Sequence, residues 1–205
     1  MGMGGVSVRT EKEKMLAGDL YRAGGDELRR DNKQARVLTR QFNATTEDEI
    51  EARTALLKQL FKSTGMNLYI EPPFRTDYGC NTSIGENFYA NYDCIIIDVA
   101  PVKIGNNVMF GPRVCLYTAG HPIDAEVRNS LLEFGKPITV GDNVWIGGNT
   151  VVNPGVTIGN NCVIGSGSVV TKDIPDGVIA AGNPARVIRA ITDEDKQYWQ
   201  AEAAK

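Results

Sequence analysis

The chain has 205 residues, enough to bury a core as one domain or as one domain with a small attachment. Lys plus Arg number 22 and Asp plus Glu 25, a net charge of −3, so bulk electrostatics gives no reason to expect nucleic acid or an anionic membrane as partner. No apolar run approaches the roughly 20 residues that span a bilayer, and the Gly-rich start, Met1 to Thr10, lacks the apolar core of a signal peptide. Cys80, Cys94, Cys115 and Cys162 show no Cys-x-x-Cys spacing. Cys94 and Cys162 stand where small apolar side chains recur, and both read as core filling in a reduced, cytoplasmic protein.

Residues 11 to 63 read as helical. Met15, Leu16 and Leu20 form a short apolar stripe that Gly24-Gly25 ends. A second helix is predicted from Asp26 to Phe42, with Leu28, Ala35, Val37 and Leu38 as contacts. The third starts at Thr46, whose hydroxyl can cap the first turn while Glu49 reaches back, and runs through Ile50, Arg53, Leu57 and Leu60 to a stop at Gly65. Short charged helices with narrow apolar stripes make a poor core alone. They are expected to cover the open strand edges of whatever follows.

From about Pro72 the composition changes to Gly, Asn, Val and Ile, and an apolar residue followed by glycine returns every six residues: Val140-Gly141, Ile146-Gly147, Ile158-Gly159, Ile164-Gly165. Val152 and Val170 keep the same register, and Ile84-Gly85, Ile104-Gly105 and Phe110-Gly111 carry it earlier. No α-helix has that period. It fits one short strand plus one corner, repeated until the chain winds into a coil. The residue two before the beat is also apolar or small, as in Val144 with Ile146 and Cys162 with Ile164, so both point inward. Three such strands make a triangular turn of about eighteen residues, with successive turns about 4.8 Å apart, four to five in all. Gly-Asn, Gly-Asp and Asn-Asn steps supply the corners. Pro175 and Pro184 mark the end, and Thr192-x-x-Asp195 caps a final helix carrying Tyr198 and Trp199. The predicted division is a helical cap over 1–71, the coil over 72–190 with an extruded loop at 120–137, and a C-terminal helix and tail over 191–205.

The beat fails twice. Ile84 to Ile104 spans two residues too many, most simply inserted near Asp98 to Pro101, and Gly120 to Lys136 lacks inward pairs and reads as a loop thrown out from the coil. His121, the only histidine, stands at the mouth of that loop. A neutral imidazole is the default proton acceptor at physiological pH; equally, the residue is a polar group at a bend before Pro122. Glu133, at the other side of the loop, could hold the second ring nitrogen or be a solvated carboxylate. No nucleophile elbow, P-loop or second histidine is present, which disfavours a covalent hydrolase or a zinc enzyme. Lys172, Arg186 and Arg189 form a basic set near the last turn, beside exposed backbone at Gly165 to Gly167. A phosphorylated ligand would need such a set; cations balancing the C-terminal acids is the plainer reading. Trp145 and Asn91 are unusual within the hexads, and a Trp where Val or Cys serves elsewhere suggests a covered outer wall, as against a neighbouring subunit.

The stretches KMLAGDLYRAG, PPFRTDYGCNTSIGENFYANYDC, TAGHPID, GKPITVGDNVWIGGNTVVNPGVTIG and GSVVTKDIPDGVIAAGNPARVIR together resemble the maltose and galactoside O-acetyltransferases, within the hexapeptide-repeat acyltransferases. That resemblance implies a mainly β fold, a left-handed parallel β-helix, assembled as a homotrimer with acetyl-coenzyme A in the groove between two subunits and no catalytic metal. It implies His121 as general base, Glu133 as its orienting carboxylate, and Asn91, Tyr89 and Asp26 as acceptor contacts. Asp26 is displaced by one position, because this chain reads Arg22-Ala23-Gly24-Gly25-Asp26 where the family often has Asp shortly after Leu-Tyr. Trp145 and the Gly147-Gly148 backbone would line the thioester end, Ser166, Thr171 and Lys172 the cofactor arm, and Arg186 and Arg189 its phosphates. Glu133 replaces a Met of some relatives, which argues against a galactoside-like acceptor pocket. The implied activity is acetyl transfer to a sugar hydroxyl, the 6-hydroxyl of a glucosyl unit such as glucose or maltose. Two alternatives stay open: another small hydroxyl or amine acceptor, and a catalytically silent β-helix scaffold.

Overall fold

The computed structural model describes residues 9–205, so most of the Gly-rich start lies outside the described residues. Helix α1, Glu11–Ala17, opens on a Thr10–Glu13 capping box and ends at Gly18 in the left-handed conformation, φ 79°. The predicted stripe therefore breaks before Gly24-Gly25: Met15 is buried, while Leu16 and Leu20 remain exposed. Helix α2, Asp26–Asn43, keeps its expected bounds within a residue and buries Leu28, Ala35, Leu38 and Phe42. Helix α3 is shorter than predicted, Ile50–Leu60. Its start is delayed because Glu49 accepts from both the N–H and the hydroxyl of Thr46, at 2.7 and 2.9 Å, closing a separate turn. It stops at Phe61, well before Gly65, because Phe61 turns into the core against Phe74, ring centroids 5.8 Å apart, and Ser63 then pairs with Ser83.

The rest is a three-faced parallel β-helix. One face stacks Leu68–Ile70, Phe88–Ala90, Met109–Phe110, Trp145–Ile146, Val163–Ile164 and Val178–Gly182, with Ala185–Ala190 returning antiparallel at its edge. A second face stacks Arg75–Thr76, Ile95–Ile97, Cys115–Tyr117, Val151–Val152 and Val169–Val170. The third stacks Thr82–Ile84, Val102–Ile104, Ile138–Val140 and Thr157–Ile158. Inside lie Ile84, Ile104, Phe110, Leu116, Val140, Ile146, Val152, Ile158, Ile164 and Val170, the residues of the beat, all buried. Cys94 and Cys162 are buried among them. Ala35, Leu38, Phe42, Leu57, Leu60 and Phe61 of the helical cap belong to the same continuous core, so the cap seals the first turn. At the corner from third to first face, Asn87, Asn107, Asn143 and Asn161 take left-handed φ of 55–57°. Their amides bond from turn to turn at 2.9–3.1 Å, which explains the recurrence of Asn there.

Register shows where the beat bends. Trp145 pairs with Val163, one turn of eighteen residues, but Tyr69 pairs with Tyr89 and Arg75 with Ile95, turns of twenty. The added residues fall at the corner from second to third face, at Asp77–Asn81 in one turn and Asp98–Pro101 in the next. The same corner of the third turn throws out the long loop. Every departure from the repeat therefore stacks along one edge of the prism. Helix α4, Ala125–Asn129, lies in the loop, and α5, Asp193–Ala203, with its Thr192–Asp195 capping box, buries none of its residues. Among the described residues no helix is long and apolar enough to cross a membrane.

Candidate active site

The loop leaves the coil on a short antiparallel stem, with Gly120 opposite Phe134 and Ala119 opposite Gly135. Both glycines allow a close approach. A Cβ on Gly120 would stand 2.7 Å from the Phe134 ring, and one on Gly135 would meet the Ala100 side chain at 2.8 Å. The stem thus closes flat and rests on the Asp98–Pro101 insertion. One residue beyond it, the same register sets His121 across from Glu133, and their side chains approach to 3.8 Å between Nε2 and Oε2. His121 is 57% exposed and Glu133 18%, so the carboxylate lies beneath an imidazole that faces solvent. The twelve-residue separation seen in the sequence is the length of the loop above this stem.

The N-terminal connector completes the site. Tyr21 exchanges both backbone hydrogen bonds with Glu133, at 3.0 and 3.1 Å. Arg22, Ala23 and Gly24 then line a cavity of about 550 Å³ together with His121, Arg128, Leu131 and Glu133. Arg128 donates to the carbonyls of Pro122 and Ile123, and Arg22 to that of Ser130, which ties the loop to itself and to the cap. Below is a separate apolar cluster of Met15, Tyr21, Leu28, Tyr78 and Val99. Asp98, fully buried, anchors that floor by accepting from the Thr76 hydroxyl at 2.9 Å, the Thr82 hydroxyl at 3.0 Å and the Tyr78 N–H at 2.8 Å. Burial pushes the Asp77 carboxyl above the usual range, and the neighbouring Asp98 pushes the same way. Sequence reasoning did not single out Tyr21, Arg22, Arg128 or Asp77. Asp98 was visible only as the start of an insertion, the one signal that pointed to this floor.

The other predicted site residues are not gathered around His121 within one chain. Asp26 is the first residue of α2, with its side chain 95% exposed and paired to Arg29 at 2.6 Å, and it does not line the cavity. Ala23 and Gly24, in the connector before it, occupy the wall instead. Tyr89 stacks on Tyr69 on the first face, and the Asn91 side chain accepts from the Tyr92 N–H at the next corner. Trp145, 51% exposed, lines a groove of about 390 Å³ on that face with Met109, Val163 and Ile191. Gly147, Gly148 and Ser166 form the corner beside it, where Gly147 approaches so closely that a Cβ would stand 2.6 Å from the Ser166 nitrogen. Thr171 and Lys172 share the edge of His121, two turns on, or about 10 Å along the coil. Arg186 donates to its neighbour's carbonyl on the edge strand, and Arg189 is held by Asp195 at 2.6 and 2.7 Å. A larger cleft, about 760 Å³ between α2 and the second face, contains Arg36, Arg40, Arg75 and Asp77 but not His121. Among the described residues no three His, Cys, Asp or Glu side chains are arranged to hold a metal ion.

Known proteins resemble this chain in sequence and fold. The family model of the maltose acetyltransferase hexapeptide capping motif matches residues 14–65, and that of the bacterial transferase hexapeptide, six repeats, matches residues 137–172. The galactoside O-acetyltransferase of Escherichia coli is 46% identical over 187 residues, 91% of this chain and 92% of its own. A solved maltose O-acetyltransferase from Clostridium difficile superposes with a TM-score of 0.89 at 55% identity, over 90% of this chain and 98% of its own. A solved galactoside acetyltransferase in complex with coenzyme A superposes with a TM-score of 0.90 at 46% identity, over 92% of this chain and 94% of its own. The chain belongs to the hexapeptide-repeat acyltransferases, in the group of the maltose and galactoside O-acetyltransferases.

Proposed function

We propose that the chain transfers acetyl from acetyl-coenzyme A to a sugar hydroxyl, the 6-hydroxyl of a glucosyl unit such as glucose or maltose, with His121 as general base. The observation that carries this reading is the pairing of the one imidazole with a sheltered carboxylate at the mouth of an open cavity. A hydroxyl is a poor nucleophile until its proton is leaving. The ring nitrogen turned toward Glu133 keeps the resting proton, and the other accepts the proton of the hydroxyl as its oxygen bonds to the thioester carbonyl carbon. The imidazolium so formed lies against the Glu133 carboxylate. When the carbon–sulfur bond breaks, the proton passes to the departing thiolate. A positioned base is worth roughly 10²- to 10⁴-fold.

Supporting the cofactor are the membership of the family and the solved relative in complex with coenzyme A. Trp145 with the Gly147-Gly148 corner would take the thioester end, Ser166, Thr171 and Lys172 the arm, and Arg186 and Arg189 the phosphates. None of these groups lines the His121 cavity, and the first face leaves Met109 and Trp145 each 51% exposed. A neighbouring copy would bring one set opposite the other, and the assembly proposed is a homotrimer. Sedimentation equilibrium at micromolar protein is expected to return three times the chain mass; a monomer with full activity would contradict it. Thiol release from acetyl-coenzyme A tests the reaction. Release is expected with glucose or maltose, and at least about tenfold less with 6-deoxyglucose. Equal turnover of the deoxy sugar rejects the 6-hydroxyl. Release only with another hydroxyl or amine favours that alternative, and none with any acceptor favours the scaffold.

A further inference from the structure

Tyr21 is wholly buried although it lies in the short connector between α1 and α2, where Leu20 and Arg22 on either side are exposed. Its N–H donates to the Glu133 carbonyl and the Glu133 N–H donates back to its own. Residues that exchange both bonds in an antiparallel pair stand directly opposite, and their side chains leave the ladder on the same face. On the other side of Glu133, the stem register places His121 opposite it as well. Tyr21, Glu133 and His121 therefore form one cross-strand row, with the carboxylate in the middle.

The surroundings of the ring are apolar. Met15, Leu28, Tyr78 and Val99 enclose the ring, with Ile97 and Ala119 at the margin. Tyr21 Oη is buried with no partner at hydrogen-bonding geometry. Such an orphan donor is rare and calls for an acceptor. The titratable and charged groups that face it are Glu133 from the loop, Asp77 and Tyr78 from the coil edge, and beyond these Asp98, His121 and Arg22. Glu133 needs a donor in turn. It is largely buried, and the His121 ring at 3.8 Å is too far to hold it by a hydrogen bond.

We propose that Tyr21 is a positioning residue for the proton-transfer pair: its phenol donates to one oxygen of the Glu133 carboxylate and so holds the other toward His121. This rests on the reading of His121 as base and Glu133 as its orienting group. Burial and the adjacent carboxylate both raise the phenol above its ordinary range, which keeps the proton on the tyrosine as a donor requires. The helical cap then has a part in catalysis as well as in sealing the coil, because it supplies the group that fixes the carboxylate.

A double-mutant cycle tests the proposal. Tyr21→Phe keeps the ring, its packing and both backbone bonds, and removes one hydroxyl. It is expected to lower kcat about fivefold, leave the KM for acetyl-coenzyme A within about twofold, and cost almost nothing further on a Glu133→Ala background. Urea unfolding supplies a readout independent of activity. Tyr21→Phe should lower the midpoint of the wild-type protein but raise it in Glu133→Ala, where the hydroxyl has lost its acceptor. Independent effects on kcat in the two backgrounds overturn the proposal, even if stability is coupled, because Tyr21 would then be structural only. The same midpoint shift in both backgrounds also overturns it. Activity in a His121→Ala control separates the two failures: its loss leaves the base assignment standing whatever Tyr21 does.

Discussion

The His121→Ala protein is expected to lose at least about a hundredfold in the rate of acetyl transfer, roughly 2.7 kcal/mol of activation free energy, with its assembly and coenzyme A affinity little changed. The separation follows from where the side chain stands. It is more than half exposed, lies outside the buried core and belongs to no strand of the coil, so truncating it removes no packing that the fold depends on. Its proposed contribution arises only as the hydroxyl proton is leaving, which places the loss in kcat. Glu133→Gln should cost less, since an amide of the same shape remains near the ring while the countercharge to the imidazolium is lost. Steady-state kinetics on the three proteins decide the matter. A His121→Ala enzyme within about threefold of wild type would remove the histidine from the mechanism, leaving a shared fold without this chemistry.

Asp98→Ala is expected to destabilise the protein by about 3 kcal/mol or more, read from urea unfolding. The carboxylate is fully buried and receives three donors, the hydroxyls of Thr76 and Thr82 and the Tyr78 N–H. Removing it strands all three away from water. Asp98→Asn should be milder, about 1 kcal/mol, because the remaining oxygen can keep Tyr78 and Thr76 while the Thr82 hydroxyl reverses to accept from the new amide. Catalysis should suffer as well in whatever folds. Ala100 donates its N–H to the Thr118 hydroxyl at 2.9 Å and supports Gly135 from below, so loosening the insertion loosens the stem that sets His121 against Glu133. A loss below about 1 kcal/mol in Asp98→Ala would show that the edge is held by the coil alone.

The coil was legible because its rule is local. Each hexad buries two side chains and turns a corner within six residues, so the pattern of Val144 with Ile146 or Cys162 with Ile164 is enough to orient the strand without knowledge of the rest. Corner asparagines were legible for the same reason, through a backbone conformation that few residues tolerate. The helical cap was less so. Thr46 and Glu49 carry the signature of a helix start, but the same side chains close a separate turn just as well, and at the other end Phe61 leaves the helix to pack on Phe74, a residue of the coil.

At the site, sequence alone selected His121, Glu133 and the loop that carries them, because a broken repeat and a solitary imidazole are visible in one dimension. Their alignment was decided by the tertiary structure. Only when the turns stack do Asp77, Asp98 and the loop fall on one edge, and only then does Tyr21, from the far end of the chain, become a strand neighbour of Glu133. Asp26 shows the converse: a carboxylate expected at the acceptor site stands at the start of α2 with its side chain in solvent, paired to Arg29. Local alternation of burial specifies a strand, whereas the row of Tyr21, Glu133 and His121 joins side chains from separate elements, and their convergence depends on register between strands that no short stretch of sequence contains.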